Sequence, residues 1–317
     1  MDDALVAEAA AGYNALRQAA AWRDVSSRGR LQVTGEDRAR LLNAMTTNQV
    51  QSLQPGQGCY LYFLNAQGRI LGDANLFCFE DHLLLDTEPE TRQKIFEHLD
   101  RYIIADDVTL EDVTETIAAI AVEGPQAEAV IASLDMGVPE TAYSWTSRGP
   151  RIVARVSGTG LVGFCIFLPA EEKRGLLAQL AGIPEASPED ARIVRIEHGR
   201  PRYGEEITER YLVQETGQLQ AVNFSKGCYL GQEIVERVRS RAQIHRLLQP
   251  MEIDTAAVPA PGTKLKSGDA DAAEIASAVY SPALGKVAAM AYVRVQFAEP
   301  GKELSLNGVP ARVSRAS

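Results

Sequence analysis

Residues 59–87 read CYLYFLNAQGRILGDANLFCFEDHLLLDT, and this stretch decides the fold. Apolar and aromatic residues run in three short blocks. Turn-forming residues break them at Asn65–Gly68 and at Glu80–Asp81, the pattern of a strand meander joined by hairpins. Hairpins place sequential strands antiparallel, so the chain is expected to be α+β and not a doubly wound parallel sheet. Upstream, residues 3–22 form an alanine-rich helical stretch, and GRLQVTG (29–35) reads as a strand. TGEDRARLLNAMTT (34–47) reads as a helix with Thr34 as its cap, Asp37 three residues on, and an apolar face of Leu41, Leu42 and Met45. PGQG (55–58) is a turn. Downstream, residues 89–103 return to helical spacing. VTLEDVTETIAAIAVEGP (108–125) is strand-like, and Pro125 opens a helix over 125–134.

The second half repeats this order more loosely. RIVARVSG (151–158) and GFCIFLP (163–169) are strands, and AEEKRGLLAQLAG (170–182) is a helix ending at Gly182. SPEDARIVRIEHG (187–199) is another helix: Ser187 caps it, Pro188 occupies the first turn and Gly199 ends it. Past Arg246–Pro250, short strands alternate with Pro/Gly turns, the pattern of a small β-barrel of roughly 70 residues. The expected organisation is one region over 1–245, made of two α+β subdomains at about 1–120 and 121–245, followed by a barrel over 246–317.

The 317 residues are 45% hydrophobic and 23% charged, enough for two or three packed units. Cys59, Cys78, Cys165 and Cys228 form no CxxC pair, so a self-contained zinc or cluster site is not expected, and a reducing cytoplasm suits them better than a disulfide framework. The N-terminal stretch has no basic n-region or leucine-rich core of a signal peptide, and no apolar run is long enough to span a membrane. A net charge of −10 disfavours broad binding to nucleic acid. There is no GxGxxG, Walker loop, HExxH or GxSxG. The four histidines (82, 98, 198, 245) are scattered and read as structural or surface residues.

Two segments carry candidate chemistry. In NFSKGCYLGQEIVERVRSRAQIHRLL (223–248), Cys228 follows Lys226-Gly227 and precedes a helix expected to start near Tyr229. A thiol at a helix N-terminus beside a lysine is a setting for a lowered pKa, and Gly227 gives backbone room. A small buried cysteine fits the residues equally well. Residues 226–246 carry a net charge of +3, with Arg237 and Arg239 among them. They read either as a solvated face, with Glu233 and Arg237 paired at i,i+4, or as a receiver for a carboxylate tail or phosphates. In EHGRPRYGEEITERYLVQE (197–215), Glu206 and Glu215 near Tyr203 could accept paired N–H donors from an aminopyrimidine ring, with an aromatic face to stack on. An exposed acidic loop is the alternative.

KGCYLGQEIVERVRSR resembles the K-G-C-Y-x-G-Q-E signature of the YgfZ family, folate-binding relatives of the glycine cleavage T-protein linked to iron–sulfur cluster assembly or repair and to tRNA modification. GEDRARLLNAMTTNQVQSLQPGQGCYLYFLNAQGRILGD is similar to the T-protein N-terminal segment, and ASAVYSPALGKVAAMAYVR to its terminal barrel. The resemblance implies a tripartite T-protein-like folate-binding fold closed by the barrel, with tetrahydrofolate or a folate derivative in the central hole. It implies Glu215 as the pterin-binding glutamate; Tyr203, Glu206, Lys226, Arg237 and Arg239, read from the residues themselves, complete the candidate folate-binding set, and no metal site is expected. It places Asp73 where T-proteins carry a catalytic aspartate pair, here Gly72-Asp73. The function it implies is iron–sulfur maintenance through Cys228 in the cytoplasm, with iron–sulfur proteins or assembly factors as partners and without direct tRNA binding. The alternative is a folate-dependent aminomethyltransferase or demethylase with Asp73 as acid/base. One cysteine cannot hold a cluster that needs about four ligands, so a cluster would require partner ligands.

Overall fold

The structure, a computed structural model, describes residues 3–241 and 244–315. Helix α1 (Asp3–Gln18) leads into strands β1 (Ala21–Asp24) and β2 (Gly29–Thr34), then α2 (Arg38–Met45). The meander follows as β3 (Gly58–Leu64), β4 (Ile70–Cys78) and β5 (Leu83–Thr87). Next come α3 (Arg92–Asp100), β6 (Thr109–Asp112), β7 (Ile117–Glu123), α4 (Ala127–Ser133), β8 (Trp145–Arg148), β9 (Arg151–Ala154), β10 (Gly163–Pro169), α5 (Lys173–Gln179), α6 (Pro188–Glu197) and α7 (Gln232–Arg241). The last six strands are β11 (Arg246–Ile253), β12 (Lys264–Ser267), β13 (Ala270–Ser281), β14 (Lys286–Arg294), β15 (Glu303–Leu306) and β16 (Val309–Val313). None of the described helices is long and apolar enough to cross a membrane.

Two antiparallel sheets, ordered β3-β4-β5-β2-β6 and β1-β7-β10-β9-β8, face one another. Phe77, Phe79 and Leu84 of the first meet Ala119, Ala154, Cys165 and Phe167 of the second. Helices α2 and α3 cover the far side of the first sheet, where Leu41, Leu42, Met45, Ile95 and Leu99 are buried. Helices α4 and α5 cover the second through Val130, Ile131 and Leu176. The fold is therefore α+β, as the hairpin signals predict. The expected division near residue 120 does not follow the sheets. β1, early in the chain, pairs with β7. Tyr203, Ile207, Val213 and Val235, late in the region, pack on Tyr60, Tyr62 and Ile70. Each sheet needs a segment from the other half to bury its face.

Strands β11–β16 close a six-stranded barrel in the order β11-β14-β13-β12-β15-β16. Its interior mixes Ile253, Leu265, Val287 and Val293 with small alanines such as Ala289, Ala291 and Ala311, as a narrow barrel requires. The barrel's outer face docks on α6: Ile196 and Tyr211 pack against Leu248, Val279, Met290 and Tyr292.

Helix α6 follows its sequence signals. Ser187 Oγ accepts from Asp190 N–H at 3.1 Å while Asp190 Oδ2 accepts from Ser187 N–H at 2.9 Å, a reciprocal cap. Helix α2 does not. Its cap position is Asp37, not Thr34, and no side chain caps it. Asp37 instead accepts from Asp107 N–H at 3.0 Å, tying the helix start to the loop before β6.

Candidate active site

A cavity of about 420 Å³ opens where the two sheets meet α6. Strand β4 supplies Asp73 and Asn75, β3 supplies Tyr60, and Arg28, Asp86 and Glu88 come from the segments around β2 and β5. The second sheet contributes Arg23, Ala121 and Cys165. Helix α6 and the turn after it contribute Arg192, Arg195, Arg200 and Arg202. In β4, Asp73 and Asn75 share a face with Phe77 because strand side chains alternate. Phe77 enters the apolar contact between the sheets, while Asp73 and Asn75 reach the part where the sheets part.

Asp73 is 6% exposed. Tyr60 OH donates to its Oδ2 at 2.6 Å, and its Oδ1 has no partner. Burial, and after it the neighbouring Glu88 charge, push the Asp73 carboxyl up to about 6. Against the raising effect of burial, Arg28 and Arg202 hold Glu88 below its ordinary value. Arg28 Nε reaches both oxygens of Asp86 at 3.0 Å, and Asn75 Nδ2 donates to Asp86 at 3.1 Å. The site therefore holds two arginine-paired carboxylates, Asp86 and Glu88, beside one carboxyl raised to about 6. Acid/base sites use such a separation of environments.

Of the candidates read from sequence, Asp73 alone lines this cavity. Glu206 is 0% exposed and accepts from Arg195 at 2.8 and 3.0 Å and from Arg202 N–H at 2.9 Å. It braces the arginines of the cavity wall. Glu215 does not line this cavity. Its Oε2 accepts from Leu212 N–H at 2.9 Å and its Oε1 from Arg246 Nε at 2.8 Å. The Arg246 guanidinium lies over the Tyr211 and Tyr292 rings, so the barrel's own arginine pairs with the Glu215 carboxylate. Tyr203 is buried with its hydroxyl on Ile70 O at 3.2 Å. Arg237 pairs with Glu233, and Arg239 lies 4.5 Å over Phe224. Neither arginine walls the cavity.

The motif around Cys228 forms a separate feature. Gly231 has φ +83°, and a Cβ there would lie 2.6 Å from Asn65 O, against the β3–β4 turn. This left-handed residue stops helical winding, so α7 begins at Gln232 and Cys228 sits in the loop before it. Lys226 does not line the cavity. Its Nζ donates to Asn43 O, Thr46 O and Asn48 O at 2.6, 2.8 and 2.6 Å, clamping the loop to the end of α2. Leu230 N–H adds a bond to Ala44 O at 2.9 Å. Between these anchors Cys228 is exposed. A Cβ on Gly227 would meet nothing within 4 Å, so no steric contact demands glycine there.

The other cysteines differ. Burial pushes the Cys59 thiol up to about 12 and raises Cys165 and Cys78 as well. Titration of the native protein with a chromogenic disulfide should therefore give one fast equivalent, lost in Cys228→Ala. The same variant should leave stability within about 0.5 kcal/mol. Two or more fast equivalents would contradict the placement. Among the described residues, no group of three or more His, Cys, Asp or Glu side chains is arranged to hold a metal ion.

Sequence reasoning missed Tyr60, Arg28, Asp86, Glu88 and the arginines after α6. The available signal was a polar period-2 face, Asp73 and Asn75, inside an otherwise apolar strand.

Comparison with known proteins gives a consistent picture. The GCVT N-terminal domain profile matches residues 3–226, and the glycine cleavage T-protein C-terminal barrel domain matches residues 246–316. An aminomethyltransferase of Streptomyces coelicolor is 29% identical over 313 residues, covering 91% of this chain and 82% of that protein. An aminomethyltransferase of Aquifex aeolicus is 28% identical over 294 residues, covering 92% and 81%. The crystal structure of the glycine cleavage system aminomethyltransferase T from Bartonella henselae superposes with a TM-score of 0.87 at 22% identity, covering 96% of this chain and 87% of that one.

Proposed function

On the premise that this chain belongs to the glycine cleavage T-protein family, as both of its matched domains show, we propose that it is a folate-dependent one-carbon transferase of the aminomethyltransferase type. The observation that carries the reading is Asp73: a buried carboxyl poised near pH 6, with one oxygen open, on the wall of a cavity of about 420 Å³. That volume falls within the range of about 300–1,000 Å³ that small-molecule sites use. Tyr60, Asn75 and Arg200 are the side chains that would hold the ligand, and the open Asp73 oxygen suits an N–H donor.

Tetrahydrofolate would supply the nitrogen that accepts the carbon. Asp73 Oδ1 accepts the proton lost from that nitrogen as the new C–N bond forms. The donor's C–N bond would break, its amine leaving with the proton that Asp73 returns, and closing the second C–N bond of a methylene product would break the carbon's bond to its carrier, which would leave with the second nitrogen's proton. The transfer is redox-neutral. Tyr60 fixes Oδ2, so the free oxygen keeps one orientation throughout.

Titration of tetrahydrofolate into the purified protein tests the placement. Asn75→Trp, which fills the cavity, should weaken binding more than tenfold. Glu215→Ala should leave affinity within a factor of three, because Glu215 joins the barrel's Arg246. Loss of binding in Glu215→Ala with retention in Asn75→Trp would move the site to the barrel junction.

A second reading rests on the exposed thiol. The KGCYLGQE loop is anchored on both sides of Cys228 and open beside Gly227, which suits contact with a partner protein. In this reading the chain is a YgfZ-type factor that binds folate and supports iron–sulfur cluster assembly or repair, and through it tRNA modification, in a reducing cytoplasm. Partner iron–sulfur proteins or assembly factors supply the remaining cluster ligands. Cys228 does not line the cavity, so the thiol would act on the partner and not on the carbon. Full restoration of iron–sulfur enzyme activity by Cys228→Ala, in cells lacking the native protein, would end this reading.

A further inference from the structure

Six arginines line the cavity: Arg23, Arg28, Arg192, Arg195, Arg200 and Arg202. Five are neutralised by carboxylates. Arg23 pairs with Glu123, Arg28 with Asp86 and Glu88, Arg192 with Glu205, Arg195 with Glu205 and Glu206, and Arg202 with Glu88 and Glu90. Among the described residues, no carboxylate pairs with Arg200. Its guanidinium carbon stands 5.6 Å from the centroid of the Tyr60 ring. The hydroxyl of that ring is the one bonded to Asp73. Arg200 and Asp73 thus address the same tyrosine, one at the ring and one at the hydroxyl.

Arg200 also lines a second, more open cavity of about 370 Å³, which shares Val156 and Ser157 with the first. No Asp or Glu lines that cavity. Its other cation, Arg155, is already held by Glu128 at 2.8 Å. In a chain of net charge −10, this junction offers an anion a guanidinium that forms no ion pair, with the Tyr143 hydroxyl as its neighbour and no carboxylate on the second cavity's wall. A guanidinium outside any ion pair keeps N–H donors for a ligand, and its plane matches a carboxylate in two parallel hydrogen bonds.

We propose that Arg200 is a specificity-determining residue of this site: it binds a carboxylate of the ligand at the junction of the two cavities, while the ligand's reacting nitrogen faces Asp73. The inference rests on the folate-dependent reading and deepens it. Two sources offer that carboxylate, the glutamate tail of the folate and a carboxylate on an amino-acid donor.

Calorimetric titrations of the full chain, Arg200→Gln and Arg200→Lys distinguish them. The probes are tetrahydrofolate against tail-less tetrahydropterin, and glycine against glycinamide. Loss of a charge-assisted pair should weaken the carboxylate-bearing ligand roughly ten- to a hundredfold, with partial recovery in Arg200→Lys. If the tail is the source, Arg200→Gln weakens tetrahydrofolate and leaves tetrahydropterin unmoved. If the donor is the source, it weakens glycine, leaves glycinamide unmoved and spares tetrahydrofolate. The inference is overturned, with the folate reading intact, if wild type binds tetrahydrofolate and Arg200→Gln changes neither carboxylate ligand. Equal weakening of the ligands lacking the carboxylate overturns it too. Failure of wild type to bind any of the four probes removes both the inference and the folate reading.

Discussion

Asp73→Asn should lower one-carbon transfer by about 10²–10⁴-fold and, at pH 8, raise the melting temperature of the protein. The two effects have one origin. Asn fills the same volume and still accepts from Tyr60 OH, so the geometry around Oδ2 survives. It cannot take a proton, so the transfer loses its base. The stability gain follows from linkage. The Asp73 carboxyl has the ordinary value of 3.8 when unfolded and is raised to about 6 when folded. A group raised in this way favours the folded state below pH 3.8, and that contribution is lost as pH rises through 6. At pH 8 wild type therefore carries a buried carboxylate beside Glu88 that the variant lacks. At pH 4 the carboxyl is neutral in the folded state and only about half ionised in the unfolded state, so the gap in melting temperature should shrink. Thermal scans at the two pH values, with rates from pH 5 to 8, check this. The acidic limb of the wild-type rate profile should fall near pH 6. An unchanged rate, or a melting temperature that drops at pH 8, would remove Asp73 from the chemistry.

Glu206→Ala should destabilise the protein by about 3–5 kcal/mol. Both oxygens of Glu206 engage Arg195, and both side chains are nearly or fully buried. Removing the carboxylate leaves the guanidinium with Glu205, which is more exposed, and frees the Arg202 N–H. Glu206→Gln keeps an acceptor and should lose less, which provides a folded variant if the alanine does not express. Urea denaturation measures both. A loss below about 1 kcal/mol, together with weaker tetrahydrofolate binding, would return Glu206 to the ligand shell.

The contrast between these residues shows what the sequence displays and what it conceals. The barrel strands were legible because each is short and bounded by turn residues. Helix α6 was legible because Ser187 and Asp190 cap each other locally. The site was less so. Asp73 was reached through its resemblance to an aspartate pair, while Arg28, Asn75 and Asp86 were not singled out. A polar residue in a strand ordinarily reads as solvent-facing, and only the stacking of two sheets turns that face inward. Glu206 and Glu215 were read as ligand carboxylates because their partners, Arg195 and Arg246, bind them through tertiary contacts. Lys226 reads as a neighbour of the thiol, yet its amine turns to the carbonyls at the end of α2, far away in sequence. The strand β1 was hidden by the alanine-rich helix before it, because its pairing partner β7 lies about a hundred residues on.

The most direct test is a single-turnover transfer assay. Wild type and Asp73→Asn are mixed with tetrahydrofolate and an aminomethyl donor, and 5,10-methylenetetrahydrofolate is followed with time. Wild type is predicted to form it faster than the uncatalysed mixture, with Asp73→Asn reduced at least a hundredfold although it still binds tetrahydrofolate. Tight binding of tetrahydrofolate by wild type with no acceleration would contradict the assignment of Asp73 as the group that moves the proton.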